Sequence, residues 1–465
     1  MVAAALAERL RRAVGDSAVL DGKEAASLRG AWSRVGVPAL LVRPGSTAEV
    51  AETLSVCHQS SVPVVPWGGL TGLVAGGWAD HEVALSMDRM SQVEAIDTEA
   101  MTMTVQAGCP LQAACKAAEE AGLFFPLDLG SRGTATIGGN VSTNAGGNRV
   151  IRYGMMREQV LGLEVVMADG TVVGGLNRLI KNNAGYDLKH LFIGSEGTLG
   201  VVTRAVLRLR QAPLSQDVAM LAIDTFAALV RVLRRMERLL GGRLSAFEVM
   251  WREYYELVTT PPAHGRMPLA GGHRFYVLVE SLGADPSPDA AAFETALTSC
   301  LQEGDIADAI IAKSQAERED LWALRDDVGQ VARNGPVLTF DISLGVHQME
   351  AYVAEVASAL TAWKPGTSLV VFGHLGDGNL HLVIGASPLD RYDVEAIVYR
   401  PLQRRAGSIS AEHGVGLDKR AWLWVSRSEE EVNMMRTLKR AFDPLGILNP
   451  GKIFEVPSGL APVFG

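Results

Sequence analysis

The segment Pro126–Gly147 reads PLDLGSRGTATIGGNVSTNAGG and is the most informative part of this chain. It contains six glycines, interspersed with small hydroxylated residues. Such a composition makes a poor helix and supplies few side chains to a packed core. The segment therefore predicts backbone that lies flat against a large planar ligand.

Two more glycine-rich segments stand on either side of this block. PWGGLTG, at Pro66–Gly72, follows the short apolar run Val62–Pro66, and IGSEGTLG occupies Ile193–Gly200. Glycines let backbone N–H groups converge on an anionic oxygen, such as that of a pyrophosphate. The first loop matches neither GxGxxG nor GxxxxGK[ST], so a Rossmann fingerprint and a P-loop are both excluded. One such loop alone would indicate only tight turns, but three together predict a large cofactor site.

Further from these loops, the pattern changes along the chain. Up to Arg210–Pro213, strand-like runs such as Val160–Ala168 alternate with the helical pattern Thr47–Gln59. Beyond it, longer helical patterns alternate with strand-like runs: Thr225–Leu240, Phe275–Glu280, Pro288–Gln302, Leu338–Leu344 and Ser368–Phe372. We predict an α+β chain with a cofactor-binding domain at 1–212, a substrate (cap) domain at 213–405 and a helical segment at 406–465 that returns to the cofactor site.

The composition and net charge of the chain argue against several classes of protein. The 465 residues exceed what one core usually holds, about 250–300 residues. Lys and Arg number 43 against 52 Asp and Glu, and this net charge of −9 argues against nucleic acid as a partner. Four scattered cysteines, without a CxxC pair, indicate a reduced cytoplasmic protein without haem or iron–sulfur ligation. We find no apolar run of about 18 residues and expect no transmembrane segment.

Histidines and a carboxylate cluster in two short segments. HLGDGNLH places His374 and His381 on either side of a glycine turn, and SAEHGVG supplies Glu412 and His413. A lone histidine would be interpreted as structural, but these three are a third of the nine in the chain. We expect His374, His381 and Glu412 to bind a metal, zinc first and manganese as the alternative, with His413 as general base.

The motifs together, from about Arg43 to Phe454, resemble the vanillyl-alcohol-oxidase (PCMH) type of FAD-binding fold, and within it the branch of D-2-hydroxyglutarate and D-lactate dehydrogenases. The resemblance implies that the first loop holds the FAD pyrophosphate, that the second lines the isoalloxazine and ribityl groups, and that GSEGTLG completes the site. The FAD contacts that it implies are Pro66, Trp67, Gly68, Gly69, Leu70, Thr71, Gly72, Leu73, Gly77, Pro126, Leu127, Gly130, Thr136, Gly138, Gly139, Asn140, Ser142, Thr143, Ala145, Gly146, Tyr153, Gly154, Glu196, Gly197, Val201 and Asn449.

The same resemblance implies the reaction. Such enzymes oxidise a D-2-hydroxy acid to the 2-oxo acid by removing the hydroxyl proton and sending the α-hydrogen to flavin as hydride. The resemblance also implies that His374, His381 and Glu412 bind the metal and that His413 is the general base. Relatives with covalently attached flavin often carry a histidine in the first loop, where this chain has Leu70-Thr71, so we expect non-covalent FAD.

For the residues that contact the substrate, the resemblance is only partial. Arg325, in the helical segment LWALR, and Asn379 match residues that contact the substrate. Thr339 stands where dicarboxylate-specific members have a lysine, and Gly329 stands where they have a threonine. We expect D-2-hydroxyglutarate first, with D-lactate and larger or aromatic D-2-hydroxy acids as the alternative.

Electrons must then leave the flavin. The resemblance implies an external acceptor, which is an electron-transfer flavoprotein, a cytochrome or a quinone, and it allows a homodimer. An oxidase that uses oxygen remains an alternative. A non-catalytic flavin subunit is another, although it would not need the histidine–glutamate group. The expected location is the cytoplasm.

Overall fold

The computed structural model describes residues 2–25, 30–31 and 34–455. Met1 and residues 456–465, which end the predicted C-terminal segment, lie outside the described residues. The chain forms two compact units, and neither is continuous in sequence. Unit 1 consists of Met1–Gly147, Gly154–Ala212 and Glu412–Gly465, and unit 2 consists of Asn148–Tyr153 and Pro213–Ala411.

Most of the longer helices lie in the second half of the chain. The α-helices are α1 (Val2–Val14), α2 (Gly22–Ala25), α3 (Thr47–Gln59), α4 (Leu111–Glu120), α5 (Ile137–Thr143), α6 (Val150–Tyr153), α7 (Met156–Gln159), α8 (Lys189–Phe192), α9 (Phe226–Leu240), α10 (Arg252–Thr259), α11 (Pro286–Gln302), α12 (Gln315–Asp326), α13 (Met349–Trp363), α14 (Arg391–Gln403) and α15 (Glu429–Phe442). Short 3₁₀ helices occupy Asp16–Ala18, Val328–Ala332, Val346–Gln348, Leu375–Asp377, Pro388–Asp390 and Arg420–Val425.

The strands are mostly short in unit 1 and longer in unit 2. They are β1 (Val19–Asp21), β2 (Leu40–Val42), β3 (Val64–Trp67), β4 (Val83–Ser86), β5 (Val93–Asp97), β6 (Thr102–Gln106), β7 (Leu123–Phe124), β8 (Val160–Val166), β9 (Val172–Gly175), β10 (Val201–Arg208), β11 (Arg210–Gln211), β12 (Ser215–Ile223), β13 (Leu244–Trp251), β14 (Phe275–Gly283), β15 (Asp308–Ile311), β16 (Val337–Ser343), β17 (Leu369–His374) and β18 (Asn379–Gly385).

Unit 1 contains two main sheets. One has the order β1-β2-β4-β3, with β4 parallel to both of its neighbours, and the other is antiparallel with the order β5-β6-β10-β8-β9. The end of the chain completes the first sheet, because Val64 N–H donates to Ile447 O at 2.8 Å and Asn449 N–H donates to Val64 O at 2.8 Å. Lys439 of α15 is buried and donates from Nζ to Thr198 O and Leu448 O. The C-terminal segment is thus part of the core of unit 1.

Unit 2 is built on one antiparallel sheet of seven strands, in the order β15-β12-β14-β13-β17-β18-β16. The two-residue period of the strands sends alternate side chains to opposite faces. One face carries Met220 and Phe372, which pack against Tyr254 of α10 and Leu324 of α12. Because helices cover this sheet, its central strands are almost continuously buried, which explains their apolar sequences.

Most of the predicted elements are confirmed, with shifts at their ends. The sequence predicts Thr47 as an N-cap followed by a helix that runs to about Gln59. The observed helix spans Thr47–Gln59, and its N-cap is the extended residue Ser46, which accepts the Glu49 N–H. The helix expected from Pro288 begins at Pro286, because proline suits the first turn, where its missing N–H is no loss. Among the described residues, we find no helix with the length and apolar character that crossing a lipid bilayer requires.

Candidate active site

The first two glycine-rich segments pack directly on each other in unit 1. A Cβ placed on Gly69 would lie 1.9 Å from Thr134 O, and one on Gly68 would lie 2.5 Å from Thr136 Oγ1. Neither position therefore tolerates a side chain without movement of the neighbouring segment. From the sequence we predicted that these glycines contact a ligand. In the structure they are also needed because two protein segments approach each other closely at these positions.

The third glycine-rich segment joins the same cluster. Glu196 N–H donates to Ser142 O at 2.8 Å, at the end of α5. Asn449 then bridges the first and third segments, since its Nδ2 donates to Gly76 O at 3.1 Å and to Glu196 O at 2.7 Å. Residues that are far apart in sequence thus meet around one part of unit 1.

Two buried amide atoms of this cluster are not satisfied by protein. Asn140 Nδ2 and Asn449 Oδ1 are buried and have no hydrogen-bond partner among the described residues. Buried polar atoms in native proteins are nearly always paired, so an unpaired donor and an unpaired acceptor indicate a bound polar ligand. FAD, which offers both donors and acceptors, fits this requirement. Of the predicted FAD contacts, Tyr153 alone belongs to unit 2, where the Arg152 guanidinium lies 4.9 Å from its ring centre.

Glu196 connects this cluster to the segment that carries Glu412 and His413. Its carboxylate is buried and accepts the Val415 N–H at 2.7 Å and the Gly416 N–H at 2.8 Å. Burial raises the pKa of Glu196, although these two N–H groups counteract it. The Glu196 backbone has φ of +51°, a conformation that costs energy outside glycine. Its side chain therefore holds a protein loop, a role that the sequence did not predict.

In unit 2, adjacent strands bring four polar side chains to one face of the sheet. Glu248 of β13 stands opposite His374 of β17, and His381 of β18 stands opposite both Phe372 of β17 and Asp341 of β16. Residues opposite each other share a face, and Phe372 and His374 are two apart on one strand. The rings of His374 and His381 lie 5.3 Å apart, nearly perpendicular at 83°.

Glu248 links two of the predicted site residues. Its Oε1 lies 2.8 Å from His374 Nδ1, and its Oε2 accepts the Arg325 Nε–H at 2.8 Å. All three residues are at least 95% buried. The Phe372 ring centre lies 5.1 Å from the Arg325 guanidinium, and Tyr254 OH donates to Arg325 O. Arg325 is thus held from three sides by unit 2.

Asp341 organises the other end of the face. It accepts from Asn379 Nδ2 at 2.8 Å and from the Ala411 N–H at 3.1 Å, and its Oδ1 lies 3.8 Å from His381 Nδ1. Asn379 Oδ1 is buried and has no hydrogen-bond partner in the part of the chain that the structure describes. Ala411 is the last residue of unit 2, and Glu412 and His413 begin the final stretch of unit 1.

The positions that bear on a second substrate carboxylate carry no charge. Thr339 is exposed, and a Cβ on Gly329 would meet no protein atom within 4 Å. Arg333 donates from Nη1 to Leu257 O and Thr260 O. Its guanidinium is therefore engaged at the end of α10.

Sequence reasoning missed Glu248 and Asp341. Each had a signal, because each is a lone carboxylate inside an apolar run, LSAFEVMW and VLTFDIS. A buried carboxylate needs a partner, and a charge in the middle of a central strand therefore indicates one. The identity of the partner depends on strand order, which the sequence did not provide.

Comparison with known families divides the chain near residue 212, as the two units do, although the second match continues into the last stretch of unit 1. Residues 38–174 match a family described as FAD binding domain, and residues 212–453 match one described as FAD linked oxidases, C-terminal domain. A D-2-hydroxyglutarate dehydrogenase of Xanthomonas citri pv. viticola is 41% identical over 91% of both chains. A bovine mitochondrial D-2-hydroxyglutarate dehydrogenase is 40% identical, covering 96% of this chain and 82% of the other.

More distant matches extend the group. A putative mitochondrial D-lactate dehydrogenase of Schizosaccharomyces pombe is 36% identical over 90% of this chain and 82% of the other. Among solved structures, p-cresol methylhydroxylase with substrate bound has a TM-score of 0.79 at 14% identity, covering 99% and 98% of the two chains. Alkyldihydroxyacetonephosphate synthase has a TM-score of 0.74 at 18% identity, covering 96% and 84%. The PCMH-type fold is therefore confirmed, and the chain belongs to the family of FAD-linked oxidases and is an FAD-dependent dehydrogenase.

Proposed function

We propose that this chain oxidises a small D-2-hydroxy acid to the corresponding 2-oxo acid, with D-2-hydroxyglutarate as the first candidate. The names of the relatives support this substrate class. The observation that carries the proposal is the sheet face of unit 2, where two imidazoles, a buried arginine and a buried amide oxygen lie on adjacent elements.

Arg325 is the group that we assign to the substrate carboxylate. Its Nε is bonded to Glu248, and neither Nη makes a hydrogen bond with any described residue. Although burial opposes the charged form, the pKa of Arg325 is raised, mainly because Glu248 stabilises the guanidinium. A buried and charged guanidinium with two unused nitrogens matches the two oxygens of a carboxylate. Asn379 Oδ1 would accept a hydrogen bond from the same substrate.

His374, His381 and Glu412 are the metal ligands that we propose, with zinc first and manganese second. Imidazole favours zinc, the carboxylate oxygen would also suit manganese, and three protein ligands leave coordination positions open. A divalent cation held there would supply Lewis acidity to the substrate hydroxyl, and the flavin would supply the hydride acceptor. Of the chain's own groups, His413 would take the hydroxyl proton, since it follows a proposed ligand directly in sequence.

We also propose that FAD is held without a covalent bond. The first loop carries Leu70 and Thr71 where a covalent histidine would stand, and neither side chain attaches to flavin. Acid precipitation should leave the flavin in the supernatant. Flavin that stays in the pellet would contradict this assignment.

The test of the function is a panel of D- and L-2-hydroxy acids under anaerobic conditions. The D-acids should bleach the flavin, and the L-acids should not. Chelator-treated protein should retain flavin but lose this reaction, and added zinc or manganese should restore it. Full bleaching by metal-free protein would overturn the metal assignment, and equal bleaching by L-acids would overturn the substrate class.

The electron acceptor is tested on the same reduced flavin. We propose an electron-transfer flavoprotein, a cytochrome or a quinone, because an FAD-dependent dehydrogenase passes its electrons on. Reoxidation should be slow in air and fast with one of these acceptors or with a dye. Fast reoxidation by oxygen alone would instead identify an oxidase.

A monocarboxylic substrate is the second candidate, and one observation favours it. Thr339 offers a hydroxyl and Gly329 offers no side chain, so neither supplies a charge for a distal carboxylate. Burying that group unpaired would cost several kcal/mol. D-Lactate and larger monocarboxylic acids avoid this cost.

We also propose a cytoplasmic location for this chain. Several relatives are named as mitochondrial, so cell fractionation would test this proposal.

A further inference from the structure

Glu248 and Asp341 are the two most deeply buried charged side chains of the candidate site, and Glu248 is the one that contacts both His374 and Arg325. It lies on β13, between β14 and β17, with 1% of its surface exposed. A carboxylate in such a place is strongly destabilising unless both of its oxygens are bonded. Each oxygen has a different partner, one on the neighbouring strand and one on α12.

We propose that Glu248 is a positioning residue that orients the metal ligand His374 and the substrate-binding Arg325 at the same time, an inference that rests on the proposed function. A carboxylate can only accept hydrogen bonds, so His374 Nδ1 must carry the proton in this contact. The lone pair of the ring then lies on Nε2, which is the atom that can bind a metal. Metal-binding histidines commonly have their second nitrogen held in this way.

The contact with Arg325 has the corresponding effect on the substrate side. Glu248 Oε2 engages only Nε of the guanidinium, at 2.8 Å. The planar guanidinium is rigid, so this single bond, together with the Phe372 ring 5.1 Å away, sets the direction of both Nη atoms. Glu248 thereby couples the orientation of the metal ligand to that of the carboxylate-binding group.

A second buried glutamate in the same sheet pairs with a single arginine and serves as a comparison for Glu248. Glu280 on β14 is fully buried and receives two bonds from Arg149, Nε to Oε1 at 2.9 Å and Nη2 to Oε2 at 3.3 Å. Gln216 and Ser245 donate to it as well. Both oxygens therefore face one arginine, whereas those of Glu248 are divided between two site residues.

The test compares Glu248→Gln with Glu280→Gln. Glutamine keeps one acceptor oxygen, so it cannot accept from both His374 and Arg325. Zinc affinity, measured by equilibrium dialysis against buffered zinc, should fall about 10–100-fold in Glu248→Gln. The KM for D-2-hydroxyglutarate should rise as well. Glu280→Gln should bind zinc like the wild type, even if its melting temperature falls.

A further pair of variants keeps the test valid if Glu248→Gln fails to fold. The first is the double variant Glu248→Met/Arg325→Met, which removes both charges and so leaves no buried charge unpaired. The second is Arg325→Met alone. This double variant should bind zinc about 10–100-fold more weakly than Arg325→Met alone, because only the double variant loses the orientation of His374. Equal zinc affinity in the two would overturn the proposal.

The outcomes also separate this inference from the proposed function. Wild-type protein that binds neither zinc nor manganese would contradict the metal assignment itself. Wild-type protein that binds zinc, with Glu248→Gln binding it equally well, would contradict only the role of Glu248. An equal loss of zinc in Glu280→Gln would also contradict it, since any buried charge in the sheet would then have the same effect.

Discussion

Glu196→Gln should loosen the loop that follows His413 without removing the loop cluster of unit 1. The carboxylate accepts the N–H groups of Val415 and Gly416, at 2.7 and 2.8 Å. Hydrogen bonds to a charged group contribute about 1.5–3 kcal/mol each. Glutamine keeps only one acceptor oxygen, so one of the two hydrogen bonds is lost. The backbone N–H that loses its acceptor then faces the NH₂ group of the glutamine, which is also a donor.

The loss corresponds to about ten- to a hundredfold faster hydrogen exchange at Val415 and Gly416, since 1.4 kcal/mol is a factor of ten. Exchange would be followed by mass spectrometry on peptides that span 410–418. Turnover should fall in parallel, because displacing a general base by about 1 Å costs up to a hundredfold.

The matched control is Glu164→Gln, in the same unit. Glu164 accepts from the hydroxyls of Thr47 and Thr203, so the chemical change is the same but the loop is not involved. This variant should leave the exchange of 410–418 unchanged. Unchanged exchange in Glu196→Gln, or equal acceleration in both variants, would refute the argument.

Three further predictions test other parts of the molecule. His413→Ala should lower turnover about 10²–10⁴-fold and keep its metal, whereas His374→Ala should lose the metal, so equal metal loss in both would mean that ligand and base are confused. Burial lowers the pKa of Lys452 from 10.5 to about 8, so the folded chain loses this proton before the unfolded chain does. Its stability should therefore rise between about pH 8 and 10.5, by about 3 kcal/mol relative to Lys452→Met, and a flat difference in denaturant titrations would contradict this. The kcat/KM ratio of D-2-hydroxyglutarate to D-lactate should stay below about a hundredfold, or roughly 2.7 kcal/mol, and Thr339→Lys should increase it, whereas a larger wild-type ratio would show that another cation binds the distal carboxylate.

Local signals predicted the fold well. Turn residues, caps and two-residue alternation are encoded within a few positions, which is why the start of α3 was predicted to within one residue. Within the apolar run 37–42, only Leu40–Val42 forms a strand, because apolar character alone does not determine strand pairing. The glycine-rich segments likewise identified the FAD-binding domain that the family match confirms.

The candidate site was only partly accessible from sequence. Motifs singled out His374, His381 and Arg325, since each lies in a short recognisable segment. Glu248 is 126 residues from His374, and the two meet only because β13 and β17 are neighbours in the sheet. Contacts of this kind depend on strand order, so a single sequence without structure indicates that a partner exists but not which residue it is.

The discontinuous make-up of the two units has a consequence for synthesis on the ribosome. Unit 2 has all of its residues once Ala411 has been made, whereas unit 1 still lacks Glu412–Gly465. That last stretch provides Ile447 and Asn449 beside Val64, and the buried Lys439 that binds Thr198 O. Domains generally fold as units in the order in which they emerge. Here unit 1 includes stretches made both before and after unit 2, so it must wait with its apolar surface incompletely covered until the residues that follow Ala411 have been made.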